Sequence, residues 1–405
     1  MKYFKLEDNL FDITERYPQT LPVFISNGFT QLADEEKRST FGRALQLNIA
    51  IMMRQIDQDS FILALEGSIN GSNSEKRDEN TVYVKGLLPC PVRLPLQETF
   101  DEVIGIKAAQ GIKIKAELKA ASMGLDWIKE EVAKANDISQ LDDIYISAGF
   151  DMFFDKEYFG RFIETKEFSD PIGWDSINKD FHNDYINLKD PHNRYGIIAV
   201  VSAVFLVNSE VLDGRPVPQS WKELLDPMYK RSVSLPVSDF DLFNAILLTI
   251  DNNYGRDAVR ALGRNMLTSL HPAQMVKSDR QKTNKPAITI MPYFFTKMVK
   301  EGSVMKAIWP KDGAIISPIF MIGKNSNNQH IKEIADIVAS EKVATILAHQ
   351  GLFPSLHPNI DNRLPEGATF LWLGWDYIEA HDLNSKFAEC NAAFNENPYV
   401  EIQKI

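Results

Sequence analysis

Residues 194–236 read RYGIIAVVSAVFLVNSEVLDGRPVPQSWKELLDPMYKRSVSLP, and how this stretch is taken decides the fold. Its apolar run from Ile197 to Val207 is 11 residues long and rich in β-branched types. That is well short of a membrane span and suits a strand buried on both faces. Outward from it, beyond residue 80, short apolar strands alternate with amphipathic helices, the pattern of α/β layering. The segments TVYVKGLLPCPVRLPLQETFDEVIG (81–105), LDDIYISAGFDMFFDKEYF (141–159), RSVSLPVSDFDLFNAILLTI (231–250) and PAITIMPYFFTKMVKEG (286–302) each read as strand, turn, helix. In open α/β sheets ligands collect outside the carboxyl ends of strands, where helix N-termini offer unpaired N–H groups and partial positive charge. Four such ends converging would favour a small, partly anionic ligand.

Residues 1–69 have a different texture. DITERYPQTLPVFISNGF and TFGRALQLNIAIMMRQIDQDSFILALEGS carry apolar residues at three- and four-residue intervals, which predicts a small all-α domain. Asn27-Gly28 reads as a helix stop, because both residues tolerate the left-handed conformation. The stretch NGSNSEKRDEN, 70–80, is polar and small, and reads as a linker.

A chain of 405 residues exceeds what one core usually fills, so two or three domains are expected. With 44% hydrophobic and 24% charged residues the composition is globular. The net charge of -11 argues against a general nucleic-acid binder, which needs an excess of Lys and Arg on some face. Glu7 and Asp8 interrupt the N-terminus before any apolar core forms, so no secretory leader is legible, direct membrane insertion is not expected, and the reading is cytoplasmic; a trimmed leader would make it periplasmic or extracellular. Cys90 and Cys390 are the two cysteines, far apart in sequence, which supports neither a disulfide framework nor a structural zinc site. GxGxxG after a strand, a GK[ST] phosphate loop, HExxH and GxSxG are all missing, so no enzyme class is signalled and no cofactor is expected.

The 194–236 stretch resembles the middle of type II extracellular solute-binding proteins, in the branch of iron(III)- or phosphosugar-binding components of ABC transporters. The matching pieces are the strand ending in Val207-Asn208, then Pro218, Ser220-Trp221 and Leu224-Leu225-Asp226-Pro227, followed by AIWPKDGAIISPIFMIGKNS (307–326) and ILAHQGLFPS (346–355). The resemblance covers roughly residues 81–405 and rests on the order of several weak motifs. It implies a two-lobed, periplasmic-binding-protein-like type II fold. Lobe 1 would be 81–207 with 309–405, lobe 2 would be 208–308, and the hinge would lie near Ala199–Val207 and Ile308–Pro318. It also implies an inter-lobe cleft that closes on ligand, and an ABC permease as partner. The N-terminal segment resembles a small helical domain of unknown function through ITERYP, NGF and RSTFGRALQL. Many members carry a Cys pair just after the Gly-Phe, where this chain has Thr30, Gln31, Leu32 and Ala33, which favours a module for docking a protein partner or dimerising over redox or metal chemistry.

In the iron-binding members two adjacent tyrosines at the place of Tyr293-Phe294 supply phenolates to Fe(III). Here Phe294 stands at the second, and the first loop, LLPCPVRLPLQE (87–98), has no His and only Glu98 as carboxylate. Hard cations want several oxygen ligands, so no metal site of that kind is expected. The candidate ligand-binding residues are Cys90, Arg93, Ser147, Gly149, Phe150, Ser238, Asp239 and Tyr293. Arg93 would clamp a carboxylate or phosphate, the small residues Ser147 and Gly149 would let a ligand reach the backbone, and Ser238 and Asp239 would cap a helix facing it. Against these stand plainer readings: Tyr293 as a core phenol, Arg93 as a surface cation, Cys90 as a small packed residue. KSDRQKTNK (277–285) reads as a solvated loop, His349 and His357 lack helical ligand spacing, and the aromatics of FLWLGWDYIEA (370–380) read as packing. The expected function is non-catalytic binding of a small, phosphorylated or carboxylated metabolite. The alternatives are an enzyme on the same fold using Cys90 or Tyr293, and a metal-binding transport component.

Overall fold

A computed structural model describes residues 3–54, 56, 58–72, 81–237, 240–269, 278, 284–300 and 302–396. The chain divides into two compact units, Met1–Asp78 and Glu79–Ile405.

The first unit is all-helical, with helices Leu10–Arg16, Leu21–Ser26, Glu35–Ala44, Leu47–Arg54 and Gln58–Ser72. Two helix starts are set by side chains: Asn9 accepts from the Asp12 amide and Asp34 from that of Lys37. The stop at Asn27-Gly28 is real, because Gly28 has φ +92°, a conformation that side chains with a Cβ disfavour. Phe24, Phe29 and Phe61 meet edge-on or tilted, with centroids 5.6 to 6.4 Å apart, and form the centre of the core. Where relatives of the domain carry cysteines, a 3-10 turn spans Thr30–Ala33 and buries Leu32. The last helix continues to Ser72, into the stretch read as linker, and 73–80 lie outside the described residues.

The second unit is built on one mixed sheet. Its strands are β1 (Thr81–Leu88), β2 (Lys113–Ala120), β3 (Ile144–Ala148), β4 (Phe168–Ser169), β5 (Gly196–Asn208), β6 (Val233–Leu235), β7 (Met266–Ser269), β8 (Ile288–Pro292), β9 (Met305–Ile308), β10 (Ala314–Lys324) and β11 (Phe370–Leu371). The order is β2-β1-β3-β10-β5-β8-β6-β7, with β4 and β11 on β10 and β9 on β5. The apolar run Ile197–Val207 lies within β5, whose residues are all buried except the half-buried Val201. β5 pairs with β10 over Gly196–Ala203 and with β8 over Ala203–Val207, so one strand serves both halves of the sheet.

This register brings two sets of strand ends towards each other. β3 ends at Ala148, opposite Ile319 of β10, which in turn faces Ala199 of β5. β8 runs in the opposite sense and ends at Pro292, opposite Ala203. The carboxyl ends of the two halves therefore approach β5 from opposite edges and stop about 13 Å apart along it, four residues at the strand rise. Each half carries helices on the sheet, and the molecule has the two-lobed type II architecture. The final helix, Leu383–Asn395, packs on Phe240–Tyr254 and Arg256–Asn265 of the second half, with Phe394 edge-on to Phe243 at 5.3 Å and Arg256 bonded to Glu389 at 2.9 Å. The expected boundary had grouped all of 309–405 with lobe 1; burial of Phe394 and Cys390 draws the last helix to the other side.

Candidate functional site

Of the four strand ends, those of β1 and β3 are neighbours by register, since Val84 pairs with Ile144 and Gly86 with Ile146 in parallel. After β1, a 3-10 turn over Cys90–Val92 leads into the helix Arg93–Ala109. Cys90 is exposed there. Arg93 is half-buried, and its guanidinium donates to Gln97 Oε1 at 3.1 Å. It has no carboxylate partner among the described residues. After β3, Gly149 has φ +142°, which suits glycine, and the helix Phe150–Phe154 begins at once. Ser147 is fully buried on β3 and its hydroxyl donates to the Ala148 carbonyl at 2.7 Å, so that group is spent locally. Phe150 opens the helix, and the position of its side chain lies outside the described set.

In the second half, Ser238 and Asp239 lie outside the described residues. After β8 the expected helix is instead a 3-10 turn over Tyr293–Met298. The cause is visible in the packing, because three consecutive aromatic residues are drawn to three different apolar clusters. Tyr293 packs with the main core, Phe294 with the cluster of β1, β3 and Phe353, and Phe295 with Leu206, Met291 and Met305. The three rings leave the 3-10 turn roughly 120° apart, so tertiary packing on three sides, not an amphipathic helical stripe, fixes this segment.

Tyr293 is half-buried and meets Trp309 edge-on at 5.1 Å. Burial raises its phenol above the usual range, so the group stays a neutral hydroxyl at neutral pH. Trp309 donates to the Thr369 carbonyl at 2.8 Å and meets Phe370, which stacks on Phe181. Phe294 lies against Phe353, centroids 4.9 Å apart. The turn at Cys90–Val92 reaches the same segment: a Cβ on Gly351 would lie 3.0 Å from Val92 Cγ1. The structure thus brings the ends of β1, β3 and β8 around residues 346–353. Phe353, Lys297 and Trp309 were not foreseen as neighbours of the site; the GLF of 351–353 was the one signal that might have found Phe353.

Two of the four turns lose their electrostatic argument. The segments 150–154 and 293–298 are too short to carry a useful helix dipole, which leaves Arg93–Ala109 and Phe240–Tyr254 as the helices able to favour an anion. Neither Cys90 nor Tyr293 is bonded to a base among the described residues. Among the described residues no three His, Cys, Asp or Glu side chains cluster as a metal set would require.

A cavity of about 940 Å³ lies elsewhere, an open groove between 175–189 and 358–368. Its principal polar groups are already engaged: Asn178 with the carbonyls of His357 and Ile360, Lys189 with those of Trp174 and Asp175, Asp180 with Asn362. None of its lining residues lies in a strand.

Sheet order, shared strands and converging strand ends define a two-lobed solute-binding protein. Residues 139–381 match the family model described as bacterial extracellular solute-binding protein, and the chain belongs to that family. Residues 4–62 match a domain of unknown function (DUF1858). No curated protein matches the sequence. Among solved structures, the fold is similar to a Bordetella ferric binding protein, with TM-score 0.54, 12% identity, and coverage of 78% of this chain and 100% of that one. It is also similar to the ferric binding protein from Campylobacter jejuni, with TM-score 0.53, 13% identity, and coverage of 78% and 98%. A third is the substrate binding protein of an ABC transporter from Agrobacterium tumefaciens, with TM-score 0.53, 12% identity, and coverage of 78% and 95%. Identities this low establish the fold and nothing about cargo. The family description is extracellular, so the reading as cytoplasmic gains no support from it. Among the described residues no helix is long and apolar enough to cross a membrane.

Proposed function

We propose that the cleft between the lobes binds a small organic anion, a phosphorylated or carboxylated metabolite, without chemical change, and that an ABC permease is the partner that receives it. The observation that carries this is Arg93: a half-buried guanidinium at the head of a 17-residue helix, next to the β3 end and bonded to a neutral amide alone. Guanidinium and helix terminus act in the same sense on a carboxylate or phosphate. Ser147, Gly149 and Phe150 contribute backbone from the adjacent turn, and the Tyr293 hydroxyl supplies one neutral hydrogen bond; Ser238 and Asp239, outside the described residues, stay candidates by sequence position. The hinge is the stretch of β5 and β10 common to both lobes, taken as 81–207 with 309–382, and 208–308 with the last helix. The helical unit serves a protein partner, for which Ile49, Met52 and Met53 are exposed at helical spacing on one face.

A thermal-shift screen of phosphorylated and carboxylated metabolites, followed by calorimetry, tests this. A charge-assisted hydrogen bond in a closed cleft contributes about 1.5–3 kcal/mol, so Arg93→Ala should weaken binding roughly ten- to a hundredfold. Tyr293→Phe should cost about 1 kcal/mol. Stabilisation by cationic or neutral compounds alone, with Arg93→Ala binding like the wild type, would refute the anion reading. The family description favours residence outside the cytoplasm, and cell fractionation decides it.

The second reading is a metal cargo, the ligand named for two of the structurally similar proteins. Its difficulty is the donor set, one neutral phenol with Phe294 beside it.

A further inference from the structure

The turn Tyr293–Met298 belongs to the second half of the sheet, yet it is fastened to the first. Lys297 Nζ donates to the carbonyls of His349 at 3.0 Å and Gln350 at 2.5 Å, which end the turn Ile346–Gln350. A cation suits that position, where the last carbonyls of a helical segment face outwards without partners of their own. Three residues earlier, the Phe294 ring enters the apolar cluster of the first half beside Phe353. Both contacts lie along the edge of β5 on which Pro354 accepts from Val200 and Ser355 bridges to Ala199. Between that anchor and the end of β8 at Ala203 lie Val201 and Ser202. Any bending of β5 about those two residues that widens this edge must withdraw Phe294 from its cluster and break both lysine hydrogen bonds.

We infer that Phe294 and Lys297 form a clasp between the lobes, beside the two crossing strands, and that its release sets how readily the cleft opens. The clasp requires the two lobes to hinge and does not depend on which solute is carried. It explains why a phenylalanine serves at position 294: a phenyl ring packed against the cluster holds the clasp without a polar group to satisfy, which a phenol would bring.

The test uses the full chain with Cys90→Ser, leaving the buried Cys390, and spin labels at Lys134→Cys in the first lobe and Asp257→Cys in the second, both on exposed helical positions. Pulsed dipolar spectroscopy then reads the distance between the lobes directly. With the clasp intact a single narrow distance is expected. Lys297→Met should raise the population at longer distance roughly fivefold, and Phe294→Ala more, with the double variant broadest. Lys297 is exposed, so its variant will fold even if Phe294→Ala does not. Distance distributions for Lys297→Met that superimpose on the parent would overturn the clasp, whereas failure to bind any anion in the calorimetry above would leave these distances unaffected.

Discussion

Lys85 on β1 offers the sharpest quantitative test of how the first lobe is held together. Its side chain is buried, and the ammonium faces Asp142 at 3.1 Å, Glu117 at 3.7 Å and, in a closer contact, Glu131. The Tyr145 hydroxyl donates to Glu131 at 3.1 Å and accepts from the Asp142 amide at 2.9 Å, tying the start of β3 to the same cluster. Lys85→Met keeps the aliphatic stem and deletes the charge, leaving three carboxylates around an apolar methyl. Stranding the partners of a buried ion pair costs about 3–5 kcal/mol; Glu131 and Glu117 are 31% and 51% exposed, which places this case near the lower figure. For a unit of this size about 3 kcal/mol corresponds to a melting point lowered by roughly 6 °C. Burial acts against the Lys85 charge, but the three carboxylates outweigh it and hold its pKa above the ordinary lysine value. The stabilisation is therefore fully present below the unfolded lysine pKa of about 10.4 and is lost as pH rises through the higher folded value. Calorimetric melts of wild type and variant should differ by a constant amount from pH 6 to 9 and converge only in strongly alkaline buffer. Adding Asp142→Asn and Glu131→Gln to Lys85→Met should recover part of the loss. A single variant that melts within a degree of wild type, or a triple variant that melts still lower than the single, would refute the charge argument.

Two further outcomes are expected. Deleting 1–75 should leave 80–405 melting cooperatively, because each unit has its own apolar core; a fragment without a cooperative transition would show that the units do not stand alone. Addition of Fe(III)-citrate should give no visible phenolate-to-iron band, since burial keeps Tyr293 protonated and Phe294 cannot ligate; a strong band abolished by Tyr293→Phe would establish the metal reading.

The fold was legible where one residue pattern had one structural meaning. A largely apolar run rich in β-branched residues, such as Ile197–Val207, is best satisfied by burial on both faces, and it became the strand common to both halves of the sheet. Asn27-Gly28 announced a stop because few backbones other than a left-handed one use that pair so well. At the site the sequence indicated the turns but not their company. Nothing local in YFFTKM says that three adjacent aromatic rings will enter three clusters, and so a helix was expected where a 3-10 turn lies. Ser147 was a reasonable candidate by position, yet only the coordinates show its hydroxyl consumed by the next carbonyl. The packing of the final helix was not legible for a related reason: Phe394 is covered by helices more than a hundred residues earlier in the chain.

The return of β10 to β3 and β5 after the second half of the sheet has a consequence for how the chain is made. As the polypeptide emerges from the ribosome, β1, β2 and β3 can pair with each other, but the free edge of β3 waits for Ile319–Gly323 of β10. The whole of the second lobe must be synthesised in between. Until then the nascent half-sheet presents unpaired N–H and C=O groups beside a set of buried-type side chains, Ile144 and Ile146 among them. Chains arrested before Ala314 are therefore expected to associate edge to edge, until β10 arrives to cover β3.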